Sequence, residues 1–224
     1  MNLMSIYRTL LEHFGKQDWW PVDEDYHKKV GSDKRVEIIV GAILTQNTAW
    51  RNVEKCIEEM KAKRMLDIKR ICELDIEKLE HLIKSSGFYR QKAKRLKDFM
   101  CYIKEKYNAD LNKIFSQSDE RVREELISIK GIGFETADSI LLYAANKPFF
   151  IVDAYTIRFL KRFGIPLHGN YESIRKGIEK RLRKDVEIYK EFHALIVELC
   201  KQYCKKVPRC DACPLSSACK HNLP

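Results

Sequence analysis

Glycine and proline are scarce in this chain, nine and six of 224 residues. They fall mostly where helices would join, as at Gly87, Gly131, Gly133 and Gly164. No low-complexity linker and no long repeat is present. Strand-type alternation is scarce too; Phe149 to Val152 is a short apolar run that stands alone. No stretch approaches the roughly 20 apolar residues of a membrane span, so no membrane partner is expected. The N-terminal segment MNLMSIYRTLLEHFG lacks the basic start and long apolar run of a secretory signal, and reads as an amphipathic helix. The even cysteine spread of a short secreted disulfide scaffold is also missing: four of the eight cysteines crowd into the last 21 residues. A cytoplasmic protein with a metal site is expected.

What is present is helix. Apolar residues recur at helical spacing in Ile6 to Phe14, Val36 to Leu44, Val53 to Met60, Ile76 to Ile83 and Ala93 to Ile103. The pattern continues in Val122 to Ile127, Thr136 to Tyr143, Ala154 to Phe163, Ile174 to Leu182 and Val186 to Tyr203. The fold class is all-α. At this length the chain makes one large or two small domains. Lys plus Arg is 42 against 32 for Asp plus Glu, a net charge of +10. That balance favours a polyanionic partner, most often nucleic acid; a Lys- and Glu-rich thermophile protein is the plainer alternative.

Two features carry chemistry in Leu126 to Gly164. Lys130-Gly131-Ile132-Gly133 is a tight turn between helices, and its glycines can take backbone angles closed to other residues. Their N–H groups can face a phosphate beside a helix N-terminus, a contact that positions a duplex without reading its bases. Asp153 is the only carboxylate of the apolar run Pro148 to Tyr155. It suits a helix N-cap, which would keep it ionised. An ionised carboxylate in a partly apolar site can activate water or stabilise a cationic transition state.

The spacing Cys204-x5-Cys210-x2-Cys213-x5-Cys219 is a strong metal signal. From spacing alone, zinc and an iron–sulfur cluster both fit. Cys56, Cys72 and Cys101 sit in helical patterns and read as core, as does Cys200. The three tryptophans, Trp19, Trp20 and Trp50, lie in the N-terminal quarter, outside the hairpin segment.

The hairpin followed by Asp153 resembles the helix-hairpin-helix, Gly/Pro loop and aspartate motif of the endonuclease III superfamily of DNA glycosylases. The resemblance implies two helical domains with a DNA-binding cleft between them. One is a six-helix barrel of about residues 28–147 bearing the hairpin; the other joins 1–27 to 148–224 and carries the metal loop. It implies a catalytic role for Asp153 in cutting the N-glycosidic bond. Members that are also lyases carry a lysine two residues after the second hairpin glycine. Here that position is Glu135, which cannot form a Schiff base, so the resemblance implies hydrolysis by water. The C-terminal cysteines resemble the [4Fe–4S] loop of the same superfamily, with the first gap one residue shorter, and Cys200 is a spare candidate for the first ligand. Lys205, Lys206 and Arg209 in that loop are candidates for phosphate contact, as are Lys130, Gly131 and Gly133.

Trp19-Trp20-Pro21 and the run Val40 to Trp50 are similar to a subgroup, the 3-methyladenine glycosylases of endonuclease III type. In that subgroup the matching residues, here Trp19, Trp20, Pro21 and Trp50, line the base pocket. Gln46 matches a residue that fills the gap left by a flipped base, and Phe88 one that wedges beside the opposite base. The resemblance implies a monomeric, monofunctional enzyme of base excision repair releasing alkylated purines from duplex DNA. Two readings stay open beside it: an endonuclease III-like glycosylase for oxidised pyrimidines, weakened by Glu135, and a non-catalytic DNA-damage-binding protein.

Overall fold

The computed structural model describes residues 1–166 and 168–222. Helices account for all the regular structure among them, and no strand occurs. The order is α1 (Leu3–Phe14), α2 (Glu24–Val30), α3 (Arg35–Leu44), α4 (Trp50–Ala62), α5 (Ile68–Glu73), α6 (Ile76–Leu82) and α7 (Tyr89–Tyr107). There follow α8 (Leu111–Phe115), α9 (Asp119–Ser128), α10 (Phe134–Tyr143), α11 (Ala154–Phe163), α12 (Tyr171–Glu179) and α13 (Val186–Gln202). The chain divides into two compact units. A hairpin unit runs from Trp20 to Ala145; a terminal unit joins Met1–Trp19 to Asn146–Pro224. The division falls between Trp19 and Trp20, so the paired tryptophans belong to different units.

In the hairpin unit α3 is buried along its whole length from Val36 to Leu44. A helix buried on all sides needs neighbours all round, and α4, α7 and α10 pack against it. The inner face of α7, Ala93, Leu96, Phe99, Met100 and Ile103, is fully covered. Burying a side chain of that size contributes about 1.5–3 kcal/mol. Cys72 of α5 and Cys101 of α7 form a disulfide. This corrects their reading as two independent core cysteines; Cys56 is free and buried as expected.

Glu125 ties α9 to the end of α7. Its carboxylate accepts from Tyr102, Tyr107, Lys106 and Gln117 at 2.5–3.0 Å. Burial alone would push this carboxyl up; the four donors outweigh it and bring it down to about 2. A carboxyl depressed in the folded state stabilises above its unfolded value and loses that contribution as pH falls. Stability should therefore decline between about pH 4.5 and pH 2, by on the order of 2 kcal/mol from this group. Glu125→Gln should flatten that part of a melting-temperature profile against pH. An unchanged slope would show that Glu125 is not the responsible group.

In the terminal unit, α13 packs on α1 and α11. Phe150, Tyr189 and Phe192 form edge-on and tilted aromatic pairs in its core. The run Phe149 to Val152 is not a strand. It is a buried connector whose backbone N–H groups find side-chain acceptors: Phe150 donates to Glu179 at 2.9 Å and Val152 to the Tyr171 hydroxyl at 3.4 Å. Those bonds meet the rule that a buried backbone donor needs a partner. They also fix the chain just before Asp153.

Candidate active site and nucleic-acid interface

Asp153 caps α11, with Oδ1 accepting from the Thr156 N–H at 2.7 Å. Capping alone does not single it out, since Asp23, Asp67, Asp75, Asp110 and Asp185 cap other helices in the same way. Its other oxygen does. Oδ2 lies 3.5 Å from Nε2 of His193, and both side chains are largely covered. Burial pushes the Asp153 carboxyl up, but His193 and the helix N–H outweigh it, and the net shift is downward. The group is held as an anion. A carboxylate held ionised in a covered site is a good fixed negative charge.

His193 was not among the residues expected from sequence. It occupies a buried position on the apolar stretch of α13, where periodicity marks only core. Trp19 stands with it: the two rings meet edge-on at 6.0 Å, and the Lys201 ammonium lies 5.3 Å from the centre of the indole.

The other expected pocket residues are in the hairpin unit. Trp20 meets Trp50 edge-on at 5.2 Å and Tyr143 at the same distance. Tyr143, at the end of α10, is an aromatic that sequence reasoning missed. Gly41 makes room for this cluster: a Cβ there would stand 2.7 Å from the Trp20 ring. Trp50 donates its indole N–H to Glu54 at 2.7 Å, and Pro21 is exposed.

The hairpin joins α9 to α10. Gly131 has φ +89°, a left-handed angle that favours glycine, and a Cβ there would stand 2.5 Å from the Arg95 side chain. Gly133 corrects the expectation. Its φ is −89° with extended ψ, open to any residue, and no atom lies within 4 Å of where a Cβ would stand. What glycine provides there is an uncovered backbone rather than a special angle. Behind the hairpin, Arg123 of α9 pairs with the buried Asp138 of α10 at 2.5 and 3.0 Å. Lys130 is exposed, and so is Glu135 in the first turn of α10.

Gln46 stands in the turn after α3. Its amide nitrogen donates to Thr136 Oγ1 at 2.9 Å and to the Gly131 carbonyl at 3.2 Å; its oxygen accepts from Arg95 at 2.5 Å. The hairpin and the Gln46 turn are therefore one hydrogen-bonded set. Phe88 is 70% exposed and left-handed, with φ +47°. That angle is costly for an aromatic residue and persists only where surroundings impose it.

Cys204, Cys210, Cys213 and Cys219 line one cavity together with Arg162, Tyr203 and Pro208. Cys200 does not line it; its buried thiol donates to the Tyr155 carbonyl at 3.6 Å. Among the described residues, no group of three or more His, Cys, Asp or Glu is arranged to hold a metal ion. Four thiols are a donor set of the kind that zinc and iron–sulfur sites use. Arg162 of α11 clasps the loop by donating to the carbonyls of Lys205 at 2.5 Å and Lys206 at 2.9 Å. Lys206 and Arg209 are exposed and Lys205 half-buried.

Comparison with known proteins agrees with these features. Residues 40–184 match the family described as HhH-GPD superfamily base excision DNA repair protein. A putative DNA repair glycosylase, MJ1434 of Methanocaldococcus jannaschii, is 46% identical over 97% of this chain and 95% of its own. Endonuclease III of Thermotoga maritima is 28% identical over 82% of this chain and 81% of its own. Among solved structures, the 3-methyladenine DNA glycosylase MagIII of H. pylori, bound to 1,N6-ethenoadenine, superposes with a TM-score of 0.72. It is 29% identical and covers 90% of this chain and 98% of the other. The hairpin, the capped aspartate and the family match place this chain in the HhH-GPD superfamily of base excision DNA glycosylases.

Proposed function

We propose that the chain is a monofunctional DNA glycosylase, hydrolysing the N-glycosidic bond of an extruded base. One observation carries the reading: Asp153 is held anionic by a helix N-terminus and His193, while the position two residues after Gly133 is a glutamate. Breaking an N-glycosidic bond leaves positive charge on the sugar. A fixed anion offsets that charge and orients a water for attack at C1′. No amine acts from the position two residues after Gly133, because Glu135 offers none. Lys92, a buried lysine of α7, is 1% exposed with its Nζ engaged by two carbonyls, and is no substitute.

The hairpin, Lys130, Gln46 and Phe88 would hold and probe the duplex, and the base must leave the stack before it can react. Trp19, Trp20, Pro21 and Trp50 would receive it. Cys204, Cys210, Cys213 and Cys219 would hold a [4Fe–4S] cluster, which would brace the loop that presents Lys205, Lys206 and Arg209 to phosphates. The protein would act as a monomer in the cytoplasm.

An alkylated purine is the substrate class we favour. N3-methylated adenine is cationic and a good leaving group, so a fixed anion and aromatic faces suffice without an acid. The likeness to MagIII supports this. One observation favours a neutral pyrimidine lesion instead: the Lys201 ammonium already lies over Trp19, where a cationic base would meet like charge. A panel of duplexes with methylated purines, ethenoadenine, uracil and thymine glycol separates the two. Free methylpurine as the fastest product supports the first. Release of pyrimidines alone overturns it.

A further inference from the structure

Lys92 is nearly as buried as any leucine of the core, 1% exposed, on the first turn of α7. Placing a cation there is unfavourable unless its hydrogens are engaged. They are engaged by backbone carbonyls from two separate turns: Leu44 at 2.8 Å and Ser86 at 2.6 Å. Leu44 ends α3 and leads straight into Gln46. Ser86 immediately precedes Gly87 and Phe88. One ammonium thus joins the bases of two turns that are 42 positions apart in sequence. The Ser86 turn is fixed further by its own hydroxyl, which donates to Ile83 at 2.7 Å.

One helical turn along α7, Arg95 continues the same task. It donates to the Gln46 side chain at 2.5 Å and lies under the left-handed Gly131. A single face of α7 therefore touches all three elements that would contact the duplex. Burial lowers the Lys92 pKa, the energetic cost of holding a cation at that point.

We infer that Lys92 and Arg95 are positioning residues for base extrusion, setting the spacing of Gln46 and Phe88 so that both enter the duplex together. This rests on the proposal that those two residues probe the duplex. Neither residue touches the base; each acts through the turn it holds. A wrongly spaced pair would still bind DNA through phosphate contacts but would fail to stabilise the unstacked state, whose formation costs a few kcal/mol.

The test uses the full-length protein carrying Lys92→Met, which keeps the volume of the side chain, and separately Arg95→Met. Single-turnover base release is measured with the best lesion of the panel, placed in a perfect duplex and in a bubble where it is already unpaired. A 2-aminopurine beside the lesion reports unstacking by its fluorescence. We expect release from the duplex to fall at least about tenfold, since extrusion is the step affected, with release from the bubble changed less than about twofold. The fluorescence rise should be lost while DNA affinity is kept. Equal losses on both substrates, or no loss on either, would overturn the inference. If Lys92→Met does not fold, Arg95→Met decides by the same comparison. The Gln46→Ala/Phe88→Ala protein separates the two levels. Full duplex activity in it refutes the probing role itself; a duplex-only loss there, without one in the Lys92 and Arg95 variants, refutes only their positioning.

Discussion

Asp153→Asn should lower single-turnover base release by about 1,000-fold, in line with removing a charge that acts in the transition state, while leaving DNA binding and the melting temperature near those of the parent. Asparagine caps a helix about as well as aspartate, so the hydrogen bond to Thr156 survives the change. What is lost is the negative charge beside the reacting sugar. Asp153→Ala would remove the cap as well, at a cost of about 1 kcal/mol, and would confuse folding with chemistry. The other capping aspartates provide the control. Asp75→Asn changes a cap of the same type with no buried histidine beside it, and it should leave release unaltered. If Asp153→Asn stays within about tenfold of the parent, the carboxylate is a cap and no more; if the parent itself releases no base from any lesion, a non-catalytic damage-binding protein becomes the better description.

The second large effect concerns stability. The Cys72–Cys101 disulfide joins α5 to α7 across 29 positions. Closing a loop of that size removes chain entropy from the unfolded state worth about 3–4 kcal/mol. The Cys72→Ala/Cys101→Ala protein should therefore be less stable than the parent by that free energy in guanidinium unfolding, with a steeper transition because the unfolded chain without the bridge exposes more surface. Alkylation of the denatured, unreduced parent followed by mass analysis should find these two sulfurs unmodified. If all eight cysteines are alkylated, the bridge is absent in solution. The double variant should then match the parent apart from the cost of trimming two side chains. In a reducing cytoplasm the pair would be held as thiols, so the purification conditions belong to the measurement.

How far the sequence went depended on whether a feature is local. Helices of nine residues or more, such as α3, α7 and α13, show several turns of apolar periodicity and are legible. Helices α2, α5 and α8 span seven, six and five residues. The equally short α6 is legible through Ile76, Leu79, Leu82 and Ile83, whereas α2, α5 and α8 carry fewer apolar residues and no period emerges, so that only Asp23, Asp67 and Asp110 mark their starts. Asp153 was legible because its chemistry and its cap share one short segment. His193 was not, because it reaches Asp153 from 40 positions away on a helix whose pattern reads as core. Lys92 was hidden for the opposite reason. In a chain with 42 basic residues, a lysine at a helix start suggests solvent, and only its two carbonyl partners reveal that it is inside. The pairing of Cys72 with Cys101 likewise needs the packing of α5 on α7, which no spacing announces.

The central claim is hydrolysis by a fixed anion without an amine nucleophile. The most direct measurement follows the panel's best duplex lesion with the intact protein and resolves the product strand with and without alkali. Free base, an unbroken strand, and cleavage only after alkali are the predicted result. Strand breaks without alkali would mean that an amine of this protein attacks the sugar, and would contradict the account built on Asp153 and Glu135.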